Sequence, residues 1–344
     1  MRRRMNAAIL RECYPMSFAE KLIGWQRRHG RHGLPWQGTR DPYRIWLSEI
    51  MLQQTQVGTV VPYYMRFIKR YPTVEALAAA SEDEVLQLWS GLGYYARGRN
   101  LRLAAQSVVS RGAFPQTAAQ IAELPGVGRS TAAAIAVFAF GERAAILDGN
   151  VKRVLARRYG IADKDELWLL AERLLPRKNV ETYTQALMDL GATVCTRKPD
   201  CGACPVRAGC VARNTGRIAE LPAPRLRKAL PLKQATWFVY RDAGRVLLER
   251  RPSSGIWGGL WCFPERPLVG SSDPKKLATI DHGFTHFRLR IHPLLHEVRK
   301  GARIDFPGLW VDLHDALRAA IPTPVKNLLQ ELQRNATRGS RSRR

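Results

Sequence analysis

Acidic residues are scarce in this chain of 344 residues: 29 Asp and Glu face 55 Lys and Arg, a formal charge of +26. An excess of this size serves an anionic polymer, a membrane surface or mere solubility, and nucleic acid is the favoured reading. Long apolar runs are missing too. The longest charge-free apolar stretch, Ser130 to Gly141, falls short of the ~20 residues that span a bilayer, which excludes a transmembrane helix. No signal-peptide-length apolar run or small-residue cleavage site follows the opening Met-Arg-Arg-Arg, so export is not expected and a cytoplasmic location is. An apolar content of 45% excludes a wholly disordered basic chain. Since a single core usually stops growing near ~250 residues, the length suggests two domains.

From residue 17 to 215 the apolar period is helical. Asp41 and Pro42 offer an N-cap and first residue for a helix to about Gln54, with Tyr43, Trp46, Leu47, Ile50 and Met51 on one stripe. Ser81 and Glu84 form a capping box, and helices are expected over 94–110, 117–123 and 129–140. Residues 216–231 are proline-rich and basic, which predicts an extended linker. Beyond it the period falls to two. A hairpin is expected from 234–240 and 245–250, a strand where Phe287, Leu289 and Ile291 alternate with Arg288, Arg290 and His292, and helices over 313–320 and 324–333. The architecture is therefore a helical domain over 17–215 and an α+β domain over 232–333. Residues 1–16 and 334–344 read as disordered basic arms, and Met16 is a second candidate start.

Cys195, Cys201, Cys204 and Cys210 are spaced C-x5-C-x2-C-x5-C. Zinc sites more often show two CxxC knuckles far apart, so one [4Fe–4S] cluster fits this compact loop better, with zinc as the alternative. Leu124-Pro-Gly126-Val-Gly128 places two glycines in a turn before a helix, where bare backbone N–H groups can receive a phosphate. Asp148 reads first as the N-cap of the basic helix that follows it. Glu49 borders an otherwise apolar helix face, where burial would raise its pKa. If the two share a cleft, one serves as general acid and the other as an ionised stabiliser of positive charge, as glycosidic cleavage requires.

Leu34-Pro-Trp-Gln37, Trp46-Leu-Ser-Glu-Ile-Met-Leu-Gln-Gln-Thr-Gln56, Gly91-Leu-Gly-Tyr-Tyr-Ala-Arg97, Leu124-Pro-Gly-Val-Gly-Arg-Ser-Thr131 and Ile146-Leu-Asp-Gly-Asn-Val-Lys-Arg153 resemble the adenine DNA glycosylases of the helix-hairpin-helix superfamily, relatives of endonuclease III. The resemblance covers residues 17 to 333. It implies removal of adenine opposite 8-oxoguanine or guanine in double-stranded DNA, with the base flipped out of the stack. By position, Glu49 matches the family's general acid, Asp148 the stabiliser of the oxocarbenium sugar and Asn150 a neighbour that helps position the reaction. Trp36 and Gln185 match the adenine pocket, and Gln54 and Tyr94 the residues inserted around 8-oxoguanine. Gln53, Gly126, Gly128, Ser130 and Lys152 are expected at the DNA. Ser130 stands where strand-cutting relatives carry a Schiff-base lysine, so the resemblance implies a monofunctional enzyme.

Residues 232–333 resemble a Nudix fold whose acidic metal-binding helix is missing from the corresponding stretch, Gly259 to Leu277. The implied role is recognition of 8-oxoguanine by Phe284, Thr285 and His286, with Thr285 where the family often has serine. The cysteine loop also departs from the family by having five residues rather than six between its first two cysteines. As all four thiols remain, the loop is expected to absorb the deletion and keep the cluster. The resemblance further implies a monomer in a bacterial cell, at the nucleoid, with no membrane partner.

Overall fold

The computed structural model describes residues 15–223, 229–242, 244–268, 273–298 and 308–341. The helices are α1 (Pro15–His29), α2 (Pro42–Leu52), α3 (Val57–Arg70), α4 (Val74–Ala79), α5 (Glu82–Trp89), α6 (Ala96–Ser110), α7 (Ala118–Ile121), α8 (Arg129–Phe140), α9 (Gly149–Tyr159), α10 (Lys164–Arg173), α11 (Val180–Asp189), α12 (Val211–Asn214), α13 (Leu313–Ala316) and α14 (Thr323–Arg341). They divide between two packing units. One unites the chain up to Ala78 with residues 103–226, and the other unites 79–102 with everything from Arg227 onward.

The first unit is helical. The expected cap of α2 is present: the Asp41 carboxylate accepts from the N–H groups of Tyr43 and Arg44, and Pro42 opens the helix. Ile45 and Ser48 are buried alongside the predicted stripe, so α2 runs through the core rather than along its surface. Leu22, Val151, Leu155, Leu187 and Leu190 help close a second core formed by α1, α8, α9, α10 and α11. Part of the predicted linker is packed: Leu221 is buried, and its carbonyl accepts from Arg157 Nε at 2.9 Å.

In the second unit, strands β1 (Leu232–Asp242), β2 (Arg245–Arg250), β3 (Trp261–Cys262), β4 (Lys275–Lys276), β5 (Ile280–Gly283), β6 (Arg288–Glu297) and β7 (Leu309–Asp312) form one sheet. β1 and β2 make the expected antiparallel hairpin, but β1 also runs parallel to β6 from Leu232 opposite Arg288 to Arg241 opposite Glu297. That parallel pair was not foreseen, since period-two patterning says nothing about strand order. On β6 the alternation holds, with Leu289 and Ile291 buried and Arg288 and Arg290 exposed. Among the described residues of 259–277 there is no helix.

By packing, residues 79–102 group with the C-terminal unit, where Leu86 of α5 joins a core that includes Trp237, Ile291 and Leu329. The tail expected to be disordered from residue 334 continues α14 to Arg341; the apolar residues Leu328, Leu329 and Leu332 anchor the helix that extends into it. Of the N-terminal arm, only Pro15 and Met16 are described, and they begin α1. Among the described residues no helix is long and apolar enough to cross a membrane.

Candidate active site

A cavity of about 680 Å³ opens in the helical unit and is lined by Glu49, Trp36, Gln185, Arg31, Leu52 and Met188, among others. Three predicted site residues thus meet in one place. Trp36 is held edge-on to Tyr64, with ring centroids 5.2 Å apart. Glu49 projects from the last turn of α2, a helix too deep in the core for its carboxylate to be fully hydrated. Burial is the main cause that pushes Glu49 up to about 8, and the negative charge of Asp148 pushes it the same way. Glu49 therefore holds a proton at neutral pH, as a general acid must.

Asp148 is the N-cap of α9, as expected, and accepts from Val151 N at 2.8 Å. Burial raises its pKa, while the backbone N–H groups of Val151 and Asn150 and the guanidinium of Arg153 oppose the rise. Of the two carboxylates, Asp148 is thus the one furnished with donors to its ionised form. The segment before it is fixed by Ser130, whose hydroxyl accepts from Leu147 N at 3.0 Å. A lysine at that position would lose this bond.

Arg153 does what no motif announced. Its guanidinium donates to Asn150 Oδ1 at 2.8 Å, to the Gly191 carbonyl at 2.5 Å and to the Cys195 carbonyl at 2.6 Å. The first turn of α9 is thereby tied to a π-helical segment, Leu190–Val194, that follows α11 and leads into the cysteine loop. The approach is so close that a Cβ on Gly191 would lie 2.6 Å from Asn150 Cβ. Asp189, at the end of α11, was also missed. It is fully buried and accepts from Arg31 Nε at 2.7 Å, Arg31 N at 2.9 Å and Gln185 Nε2 at 2.9 Å. The helix also carries Glu181, Thr182, Thr184 and Gln185, so nothing in its sequence sets Asp189 apart.

The hairpin between α7 and α8 has the expected form. Gly126 sits at a φ of 78°, which only glycine adopts readily, and Gly128 is the N-cap of α8. Gln53 supports this turn, since its amide donates to the Gly126 carbonyl and to Thr131 Oγ1. Gln54, next in sequence, is exposed and left-handed at a φ of 58°. Lys152 lies half-buried on α9.

Cys195, Cys201, Cys204 and Cys210 are all free thiols around one recess, beside Arg157, Arg207 and Arg213. Among the described residues no three His, Cys, Asp or Glu side chains are grouped to hold one metal ion. Burial pushes Cys204 up to about 11, and the other three thiols add to the rise, so a cationic group between them would relieve both effects.

In the second unit, Tyr94 is 48% exposed and left-handed at a φ of 49°, and its hydroxyl lies 3.2 Å from Thr285 Oγ1. Thr285 and His286 are exposed in the turn between β5 and β6. Phe284, by contrast, stacks on Phe287 with centroids 4.4 Å apart and packs on Trp257, which makes it a support for the turn.

The HhH-GPD superfamily of base excision DNA repair proteins matches residues 47–177, and the NUDIX domain family matches 236–331. An adenine DNA glycosylase of Buchnera aphidicola subsp. Baizongia pistaciae is 35% identical, with 92% of this chain and 97% of that protein covered. The chain belongs to the adenine DNA glycosylases. A Homo sapiens member is 33% identical over 92% of this chain and 74% of its own length. Among solved structures, a thermostable thymine-DNA glycosylase aligns with a TM-score of 0.55 at 31% identity, covering 58% of this chain and 97% of that one. An endonuclease III in a non-covalent DNA complex aligns at 0.51 and 21% identity, over 62% of this chain and all of that one, which shows the shared fold alone. Membership makes the chain a hydrolytic DNA N-glycosylase of base excision repair with a Nudix-like C-terminal domain.

Proposed function

We propose that this glycosylase removes adenine mispaired with 8-oxoguanine, or with guanine, from duplex DNA and leaves the strand intact. The observation that carries the reading is a proton-holding Glu49 on the wall of a cavity near a second carboxylate provided with donors. Adenine must leave the stack to reach it. Glu49 then donates its proton to the adenine ring while the bond from the sugar to N9 breaks, and the electron pair leaves with the base. Ionised Asp148 faces the oxocarbenium charge that develops on the sugar, and water completes the hydrolysis. Asn150, held by Arg153, keeps the turn that carries Asp148 in place. Trp36 and Gln185 form the pocket wall against the base. With a hydroxyl at Ser130 and no amine, the chain forms no imine with the sugar, so no strand cleavage follows.

The cysteines Cys195, Cys201, Cys204 and Cys210 would hold one [4Fe–4S] cluster, which when bound fixes the fold of a loop too small for a core of its own. Gly126, Gly128 and Lys152 would meet phosphates, Gln54 and Tyr94 would enter the duplex, and Thr285 with His286 would read the oxidised base. Two left-handed non-glycine residues at the proposed wedge positions support this, because such strain collects at functional sites.

One assay tests the reading. A duplex with a single A opposite 8-oxoguanine should acquire alkali-labile sites; none would refute it, and breaks before alkali would refute the monofunctional assignment. Iron at about four equivalents with visible absorption is expected of the purified protein, whereas one equivalent of zinc would overturn the cluster.

A further inference from the structure

Gln185 faces the same cavity as Glu49, but its amide is not free to turn. A glutamine amide can present either its oxygen or its NH2 group to a ligand, and which one it presents is set by its other partners. Here the partner is a carboxylate that can only accept. Asp189 Oδ1 takes a hydrogen bond from Gln185 Nε2 at 2.9 Å and another from Arg31 Nε at 2.7 Å, while Oδ2 takes the Arg31 backbone N–H at 2.9 Å. Asp189 itself has no exposure to solvent, so water does not compete for these bonds. Were Gln185 to flip, its oxygen would face the Asp189 oxygen and a buried acceptor pair would replace a bond.

We infer that Asp189 is a positioning residue that locks the polarity of Gln185, leaving the Gln185 oxygen as a hydrogen-bond acceptor toward the base in the cavity. An acceptor there pairs with an exocyclic amine, such as the 6-amino group of adenine. It repels a carbonyl at the same place, as in hypoxanthine, which has the same ring system and nearly the same shape. The discrimination so produced comes from an unpaired polar group rather than from fit, the stronger of the two kinds of selection. Arg31 has a supporting part: it supplies the positive charge that lets a carboxylate remain in a buried site. The inference rests on the proposal that the cavity receives adenine, but the lock itself is a property of the protein without DNA.

The test compares single-turnover excision of adenine and of hypoxanthine, each opposite 8-oxoguanine. Asp189→Asn replaces an obligate acceptor with a group that can also donate, so the preference for adenine should fall by about tenfold or more. Gln185→Met should lose the preference as well, and adding Asp189→Asn to it should change the ratio no further, because Asp189 acts through Gln185. A merely structural Asp189 would slow both substrates equally; an unchanged ratio, or the same drop in the Gln185→Met background, overturns the inference. A second measurement needs neither activity nor a folded variant of Asp189. In the wild-type protein labelled with ¹⁵N-glutamine, the side-chain NH2 pair missing from the Gln185→Met spectrum should contain one downfield, exchange-protected proton. Two freely exchanging protons there would overturn the lock, whereas failure to excise either base with the lock intact would refute the substrate reading alone.

Discussion

Glu49→Gln should make the protein more stable and inactive at once, and the size of the gain should depend on pH. The Glu49 carboxyl is raised from 4.5 to about 8 by burial and by Asp148, so the folded protein holds this proton more tightly than the unfolded chain does. Below pH 4.5 both states are protonated and the group contributes nothing. As pH rises from there toward 8 the unfolded chain gains by ionising and the folded one does not, so stability is lost over that window. The loss is about 1 kcal/mol at pH 5, about 3 kcal/mol at pH 7 and on the order of 5 kcal/mol when ionisation is complete in both states. Glutamine has no proton to lose and escapes the penalty. Denaturant unfolding of variant and wild type at pH 5 and pH 7 measures it: the advantage of the variant should grow by about 2 kcal/mol between the two. An advantage independent of pH would refute a buried, protonated Glu49.

In the proposed mechanism the same group fixes the alkaline limb of activity. Excision needs the protonated acid, so its rate should fall tenfold per pH unit above about 8. In the same mechanism the acidic limb is set by ionisation of Asp148, whose pKa burial raises above the usual aspartate range. A bell results. Glu49→Gln should retain mispair binding while losing about 10²–10⁴-fold in excision; a variant that still turns over normally, or a wild-type rate that stays level from pH 7 to 10, would refute the assignment of the acid.

Asp148→Asn should keep the cap of α9, since asparagine caps as well as aspartate, yet lose excision; a fall in melting temperature with activity kept would reverse the two roles. Ser130→Ala removes the acceptor of Leu147 N and should cost about 1 kcal/mol in thermal unfolding, with slower excision and no strand cleavage gained. Gly191→Ala places a methyl against the Asn150 backbone, 2.9 Å from its carbonyl carbon, and should destabilise by about 1–3 kcal/mol. Its rate of excision should fall more than its affinity for DNA; an active variant of wild-type stability would show that α9 and the π-helical segment are not tightly coupled.

Local chemistry was legible in the sequence and long-range commitment was not. The caps at Asp41, Ser81 and Asp148 and the tight turn at Gly126 depend on neighbours within a few residues, and each appears where expected. Residues 79–102 carry the same helical period as their surroundings, and nothing in that period says that Leu86 will be buried in one core with Trp237. The parallel pairing of β1 with β6 is equally silent, as are Arg153 and Asp189, whose work lies in the 38 residues separating Arg153 from Gly191 and the 158 separating Arg31 from Asp189. Motif resemblance pointed to Glu49, Trp36 and Gln185, which line one cavity; the supports behind them had to be found in three dimensions.

Asp148 shows why the ordinary reading of a residue and the functional one need not compete. Its cap bond to Val151 N fixes the side chain on the helix terminus and lowers the cost of its negative charge there. A carboxylate with two oxygens can spend one on the cap and keep the other for the sugar. The cap thus opposes the rise that burial imposes on Asp148, whereas for Glu49 burial and the charge of Asp148 act together and push it up to about 8. In the proposed mechanism the division between acid and stabiliser follows from one helix terminus, because two carboxylates with identical surroundings would have no means of choosing which of them held the proton.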